Sequence, residues 1–352
     1  MSKLSEAATV AMRDCLGLRP GEEVMILTNF EGDDSFEISR ALFEATKALG
    51  GKPVLMVQEA KSSVQYAENM VLKAMEAAPE IIISISSIKM GKDPFGMHIG
   101  YIGRDGQKYD HIYHYLMEGS HRIRGFWSPS LTIDTFERCI AVDYTEMRAV
   151  ARKLKEILDA GENVHVTAPG GTDIKFSIKG RMAKLDDGDL TVPGTGGNLP
   201  AGETFISPAN ATAEGVICFD GTVDLITSFP TPKVPVKVVF KEGYITEVTG
   251  DEVAEALLDV IKMGETKARE IGNLEMERNA RHLGEMGIGI NYAAKIVGNL
   301  LEDEKVGRTV HFAIGMNYDN DANALIHQDC LVKDPSVWVD GRQIMKDGDL
   351  LI

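Results

Sequence analysis

The stretch EVMILTNFEGDDSFEISRALFEATKALGGKPVLMV, residues 23–57, decides the fold of the N-terminal half. Its first five residues, Glu23–Leu27, read as a short buried strand. Ser35–Leu49 has amphipathic helical spacing and stops at Gly50-Gly51, and Pro53–Val57 is again strand-like. The alternation continues outward on both sides. Residues 3–16 have helical apolar spacing, and Pro20-Gly21 is a turn. Val64–Ala78 reads as a helix, Glu80–Ser86 (EIIISIS) as a fully buried strand, and Gly91–Gln107 as a glycine-rich loop. A helix over Asp110–Glu118 and a strand near Arg122–Trp127 complete the series. Such alternation predicts a parallel sheet with helices on its faces.

The texture changes after the helix Tyr144–Leu158, which is capped near Gly161. Strand patterns dominate: Val164–Thr167, Asp173–Ile178, Gly215–Phe219, and the pair Val234–Phe240 and Tyr244–Thr249 across Glu242-Gly243, a hairpin signal. Helices are expected near Val253–Lys262 and Ala293–Leu301, a strand over Thr309–Ile314, and a closing hairpin from Val337–Val339 and Gln343–Met345. The expected fold class is therefore α/β: an N-terminal open α/β domain with a parallel sheet over residues 1–145, then a β-rich α+β metal-binding domain over 146–352. A chain of 352 residues, at about 150 per domain, suits two domains.

Composition narrows the partners. Lys plus Arg number 37 against 53 Asp plus Glu, a formal charge of −16. A surface this acidic repels phosphate backbones and anionic lipid, so neither nucleic acid nor membrane is an expected partner. The N-terminus lacks the apolar core of a signal peptide, and no stretch approaches the ~20 apolar residues of a membrane span; a cytoplasmic location is expected. Cys15, Cys139, Cys218 and Cys330 are scattered singly and read as free thiols, with Cys330 notable for standing beside Asp329.

The chemistry-bearing residues gather in the second half. In Ile326-His327-Gln328-Asp329, side chains two apart leave the same face of a strand, placing an imidazole beside a carboxylate, a half-site for a divalent metal. A lone H-x-D also suits a solvated turn. His311 lies in the apolar run Thr309–Gly315, where it is either a satisfied core residue or a ligand. Glu285 sits in Leu283-Gly284-Glu285-Met286-Gly287-Ile288-Gly289, and Glu203 in Asn198–Phe205 just before an apolar stretch. A buried carboxylate is costly unless paired or bound to metal. Three carboxylates beside two neutral imidazoles give −3, which suits two divalent cations better than one. The donors are oxygen and nitrogen without sulfur, as Zn, Co or Mn accept.

The blocks NLPAGETF, LGEMGIG, TVHFAIGMNY and IHQD resemble those of the thermophilic-type metalloaminopeptidases, the aminopeptidase T and aminopeptidase S group of peptidase family M29. Thr167–Arg181 and VDGRQIMKDG also resemble that family. The likeness covers most of residues 144–352. It implies that Glu203, Glu285, His311, His327 and Asp329 hold two divalent metal ions, with Glu285 or Asp329 bridging them. It implies that Tyr318 faces the site, where a phenol can donate to the oxyanion of a tetrahedral intermediate; on general grounds Tyr318 is a loop aromatic. The reaction implied is removal of N-terminal residues from short peptides with a free N-terminus. Two metals would activate water, and Glu203 would carry the proton to the leaving amine. A homodimer is implied as well.

Other histidines carry blander expectations. His111 and His114, spaced three apart with His121 following, read as surface or interface residues. His282 could support the neighbouring glutamate but reads as a solvent-facing helix end, and His98 and His165 carry no signal. Gly194, Gly196 and Gly197 read as a flexible lead-in to Glu203 rather than a phosphate cradle.

Two other functions compete. Mononuclear non-haem iron dioxygenases that open dihydroxypyridine rings resemble this C-terminal half and keep the H-x-D strand, but need one metal and no early glutamate. The presence of both Glu203 and Glu285 favours two. Against that, His311 and His327 are 16 residues apart, shorter than the aminopeptidase pattern, where substrate would be recognised. The third is a non-catalytic metal- or ligand-binding protein, which would not need the tyrosine.

Overall fold

Glu23–Thr28 runs parallel to Lys52–Val57 on one side and to Ile81–Ile85 on the other. Arg124–Trp127 then pairs with Ile81–Ile85, and the two-residue strand Gly196–Gly197 closes the edge, every pairing parallel. The computed structural model describes residues 2–31, 33–62 and 64–352. The all-parallel sheet follows from the apolar runs, since only strands covered on both faces can be apolar throughout. Met25, Leu27 and Ile82 pack on the helix Asn69–Glu76 and the segment 112–119, while the helix Asp33–Ala48 lies against the first two strands.

The chain divides into two units, Met1–Tyr144 with Gly188–Ala201, and Thr145–Asp187 with Gly202–Ile352. The glycines at 194–197, read from sequence as a lead-in to Glu203, thus belong to the first unit, with Gly196–Gly197 an edge strand. Two other local expectations change. The helix expected over Val64–Ala78 begins only at Asn69, because Gln65 and Ala67 exchange backbone hydrogen bonds with Lys92. The loop 91–107 contains a short helix, Pro94–His98, capped by Asp93, and the first strand of a small pair.

The second unit is antiparallel and holds two sheets. An eight-stranded sheet contains both expected hairpins. A five-stranded sheet runs in the order His327–Lys333, Thr309–Gly315, Leu283–Gly289, Glu203–Ile206, Lys184–Asp186. One face of this sheet meets the other sheet, where Phe312 stands edge-on to Phe176 at 6.3 Å. The expected fold class is the one observed. The helix expected over Ala293–Leu301 is replaced by turns and the short helix Leu300–Asp303: the backbone N–H groups of Lys295, Val297 and Gly298 donate to the carboxylates of Glu302 and Asp303. Among the described residues no helix is long and apolar enough to cross a membrane.

An ion pair between a buried arginine and a half-buried glutamate anchors the first sheet. Arg124, 2% exposed, places Nη2 2.6 Å from Glu22 Oε2 and donates through Nε to the carbonyl of Leu16 at 2.7 Å. Arg124→Met leaves Glu22 without its cation, and removing one partner of such a pair costs about 3–5 kcal/mol. Chemical denaturation of the two proteins will show that loss; a difference within error would mean that the guanidinium contributes nothing net.

Candidate metal centre

Glu203, Glu285, His311, His327 and Asp329 stand on four adjacent strands of the five-stranded sheet. The register explains how they fit. Glu203 pairs with Gly289, His311 with Gly287, Glu285 and Asp329 both with Ala313, and His327 with Gly315. Each large side chain thus has, on one neighbouring strand, a residue with one side-chain carbon or none opposite it, while Glu203 and His311 pair on their other side with Asp186 and Leu331. At Gly287 a Cβ would lie 2.1 Å from the His311 ring. Alternate residues point to the opposite face, so Cys330, paired with Phe312, is directed away from its neighbour Asp329 and is no ligand.

The donors form two groups that share one carboxylate: Glu203, Glu285 and His311, and then Glu285, His327 and Asp329, each with its donor atoms within 4.8 Å. His311 Nε2 lies 3.3 Å from Glu203 Oε2 and 3.2 Å from Glu285 Oε1. His327 Nε2 lies 3.6 Å from Glu285 Oε2 and 3.5 Å from Asp329 Oδ1, the latter an ion-pair distance rather than a hydrogen bond. His327 Nδ1 donates to the Met316 carbonyl at 2.8 Å, which leaves Nε2 for coordination. Glu203 Oε2, Glu285 Oε2, Asp329 Oδ1 and His311 Nδ1 are buried without hydrogen-bond partners. Buried oxygens rarely go unsatisfied, and converging carboxylate and imidazole atoms of this kind fit a divalent ion.

A lysine changes the electrostatics of the first group. Lys305 Nζ lies 2.6 Å from Glu203 Oε1, 2.8 Å from Asp186 Oδ2 and 2.8 Å from Glu304 Oε1, and the residue is 2% exposed. Burial alone would lower its pKa, but the three carboxylates hold it well above the usual lysine value. Burial raises the pKa of Glu203 and Asp186 despite the ammonium, and pushes Glu304 to about 7. His311, which burial would make neutral, is raised to about 9 by Glu203 and Glu285. His327 is likewise raised to about 10 by Asp329, which itself falls to about 2 beside the imidazolium. Sequence reasoning passed over Lys305, Asp186 and Glu304. The one available signal was a single lysine ending the acidic run Glu302-Asp303-Glu304 just ahead of the His311 strand.

Tyr318 borders the site, with its ring 5.0 Å from His327 and 5.5 Å from Phe205, and the residue 44% exposed. Its backbone oxygen accepts from Lys184 Nζ, which stands 5.3 Å from the ring centroid. The loop is pinned by Asn317, which donates to Asp321 at 2.6 Å, and by Arg181, 2.9 Å from the same carboxylate. His282, expected at a solvent-facing helix end, is buried 5.6 Å from the Tyr244 ring, and burial lowers its pKa to about 4. His111 caps a short helix by accepting from the Tyr113 N–H.

With this geometry in hand, the relatives can be placed. The profile of the family described as NicX: 2,5-dihydroxypyridine 5,6-dioxygenase matches residues 130–352. That is more than half of the chain, and the chain belongs to that enzyme family. No curated protein sequence matches it. Among solved structures, the 2,5-dihydroxypyridine dioxygenase of Pseudomonas putida KT2440 superposes with a TM-score of 0.72 at 15% identity, covering 100% of this chain and 98% of that one. Wild-type AmpT of Thermus thermophilus, an M29 aminopeptidase, gives 0.67 at 18% identity, covering 99% of each. At these identities the likeness is one of fold, shared with the aminopeptidase type that the sequence motifs resemble, whereas the family match falls to the dioxygenase relation.

Two consequences are measurable. Gly287→Ala forces the His311 ring out of its place against Glu285, whose other oxygen faces His327, and disturbing a contact that orients a ligand lowers metal affinity by about 10–100-fold; titration with Mn²⁺ reads this, and unchanged affinity would mean that His311 does not orient Glu285. The second concerns pH in the metal-free chain. The raised pKa of His327 stabilises the fold fully below about pH 6.5, and that share is lost as pH rises through about 10. The lowered pKa of Asp329 contributes above about pH 4 and is lost as pH falls through about 2. The stability gap between metal-free wild type and His327→Gln is therefore widest between about pH 4 and 6.5 and closes towards about pH 10, as denaturation across that range will record.

Proposed function

We propose that this chain is a mononuclear iron dioxygenase that opens a hydroxylated nitrogen-heteroaromatic ring, with the ion held by Glu285, His327 and Asp329. The observation that carries the reading is this donor group, with unpartnered oxygens on Glu285 and Asp329, inside the segment spanned by the family profile. Iron there would supply the redox chemistry by which dioxygen cleaves a ring carbon–carbon bond and leaves both of its oxygen atoms in the product.

The rest falls to the protein. The hydrogen bond to the Met316 carbonyl fixes the His327 ring and its tautomer. Tyr318 and Phe205 offer aromatic surface beside His327 on which a planar heterocycle can stack. Lys184, whose pKa burial lowers, gives that mouth a cation able to pair with a ring phenolate. The ligand group departs from the common set of two histidines and one carboxylate by holding one histidine and two carboxylates. A more anionic shell favours the higher oxidation state of its metal.

One observation favours a second reading, a two-metal aminopeptidase: Glu285 turns one oxygen to each donor group, as a bridging ligand would. In that case Glu203, Glu285 and His311 take the second ion (Zn, Co or Mn), Tyr318 faces the oxyanion and Glu203 moves the proton. Anaerobic loading with Fe²⁺, dioxygen uptake with 2,5-dihydroxypyridine, and amino-acid release from unblocked and N-acetylated peptides separate the two. One iron per chain with dioxygen uptake, both lost in Asp329→Ala, is the expected result. Two ions with cleavage of unblocked peptides alone would replace the dioxygenase by the aminopeptidase.

A further inference from the structure

Within five residues the chain runs Leu301-Glu302-Asp303-Glu304-Lys305, and its one cation turns inward. Around Lys305 Nζ stand three carboxylate oxygens at 2.6–2.8 Å from three separate places in the chain, Asp186, Glu203 and Glu304. Three hard anionic oxygens converging from separate strands and loops are what a divalent ion asks of a protein. On the far side of Glu203, Oε2 is buried without a hydrogen-bond partner and faces His311 Nε2 at 3.3 Å. Glu203 therefore gives one oxygen to the ammonium and keeps the other aimed into the donor group it shares with Glu285 and His311.

The ammonium is also fixed in place. The carboxylate of Asp303 accepts from the Thr222 hydroxyl at 2.6 Å and from the N–H groups of Val297 and Gly298, and that of Glu302 accepts from the Lys295 N–H. The Lys305 carbonyl accepts from the Asn291 N–H at 2.9 Å. A lysine on a mobile loop would swing aside for a competing ion; this one is tied through its own carbonyl and sits on a segment fixed by the Glu302 and Asp303 carboxylates.

We propose that the Lys305 ammonium occupies a second cation position of this centre and so limits the protein to one metal ion. The inference rests on the reading that Glu285, His327 and Asp329 hold the metal, and it deepens that reading by naming the residue that sets the count. Removing the lysine charge leaves Asp186, Glu203 and Glu304 converging on a vacated cation position, and a second ion enters there. Lys305→Arg keeps the charge and keeps one ion.

The test is metal counting by equilibrium dialysis against Mn²⁺ followed by elemental analysis, with thermal melts of the same samples. Wild type and Lys305→Arg are expected to bind one ion per chain, and Lys305→Met two, with a melting temperature that Mn²⁺ raises more than in wild type. If Lys305→Met does not fold, the double variant Lys305→Met/Glu304→Gln removes one carboxylate with the lysine and is expected to bind two ions as well. Lys305→Met, or the double variant in its place, staying at one ion overturns the role of Lys305 and leaves the single-metal reading standing. Wild type binding two ions overturns both. Wild type binding none overturns the reading on which the inference rests.

Discussion

Carboxylates cannot be buried together unless something positive stands among them, and the second unit is arranged around that constraint. Asp186, Glu203, Glu285, Glu304 and Asp329 gather at one antiparallel sheet; Lys305 is the permanently charged cation that reaches Asp186, Glu203 and Glu304, and His327 stands against Glu285 and Asp329. The rest of the local architecture serves their placement. On one neighbouring strand glycine or alanine stands across from Glu203, Glu285, His311, His327 and Asp329, so that five large side chains fit on one sheet face. In the irregular chain between Ile290 and Thr309, the N–H groups of Lys295, Val297 and Gly298 donate to the Glu302 and Asp303 carboxylates on the segment that carries Lys305. A regular helix there would have satisfied its backbone internally and carried Lys305 elsewhere.

Much of this was legible in the sequence, because period and burial are local signals. The strands around Ile26 and Ile83 announce a parallel sheet, and Thr309–Gly315 announces a buried strand with a histidine in it. His327 and Asp329 could be placed on one face by counting two residues along a strand. The strand carrying Glu285 was harder to see, because three of its seven residues, Gly284, Gly287 and Gly289, are glycine, a residue that strands usually exclude. Gly287 clears space for the His311 ring on the next strand, while Gly284 and Gly289 pass close to the backbone at Met316 and Val306; a requirement set by another segment leaves no mark within the strand itself. Lys305 was hidden for the same reason. Its meaning lies in contacts with Asp186 and Glu203, which are distant in sequence, while its own neighbours read as a solvated acidic run.

The two structural relatives differ in chemistry and superpose almost equally well, at TM-scores of 0.72 and 0.67, so the scaffold does not choose between oxygenase and peptidase. The choice comes down to charge at the site. Five carboxylates against Lys305 leave a formal −4 with neutral imidazoles, which on its face invites two divalent ions. His311 alters that count. Pressed between Glu203 and Glu285, it holds a proton up to about pH 9 as long as no metal takes its nitrogen, and Glu304 is half protonated near pH 7. With Lys305 charged, His311 protonated and one ion at Glu285, His327 and Asp329, the cluster is close to neutral. A second ion would have to displace an ammonium and a proton from ligands that already hold them. In a low-dielectric interior, where each uncompensated charge is costly, a centre balanced by one metal has little electrostatic reason to take another.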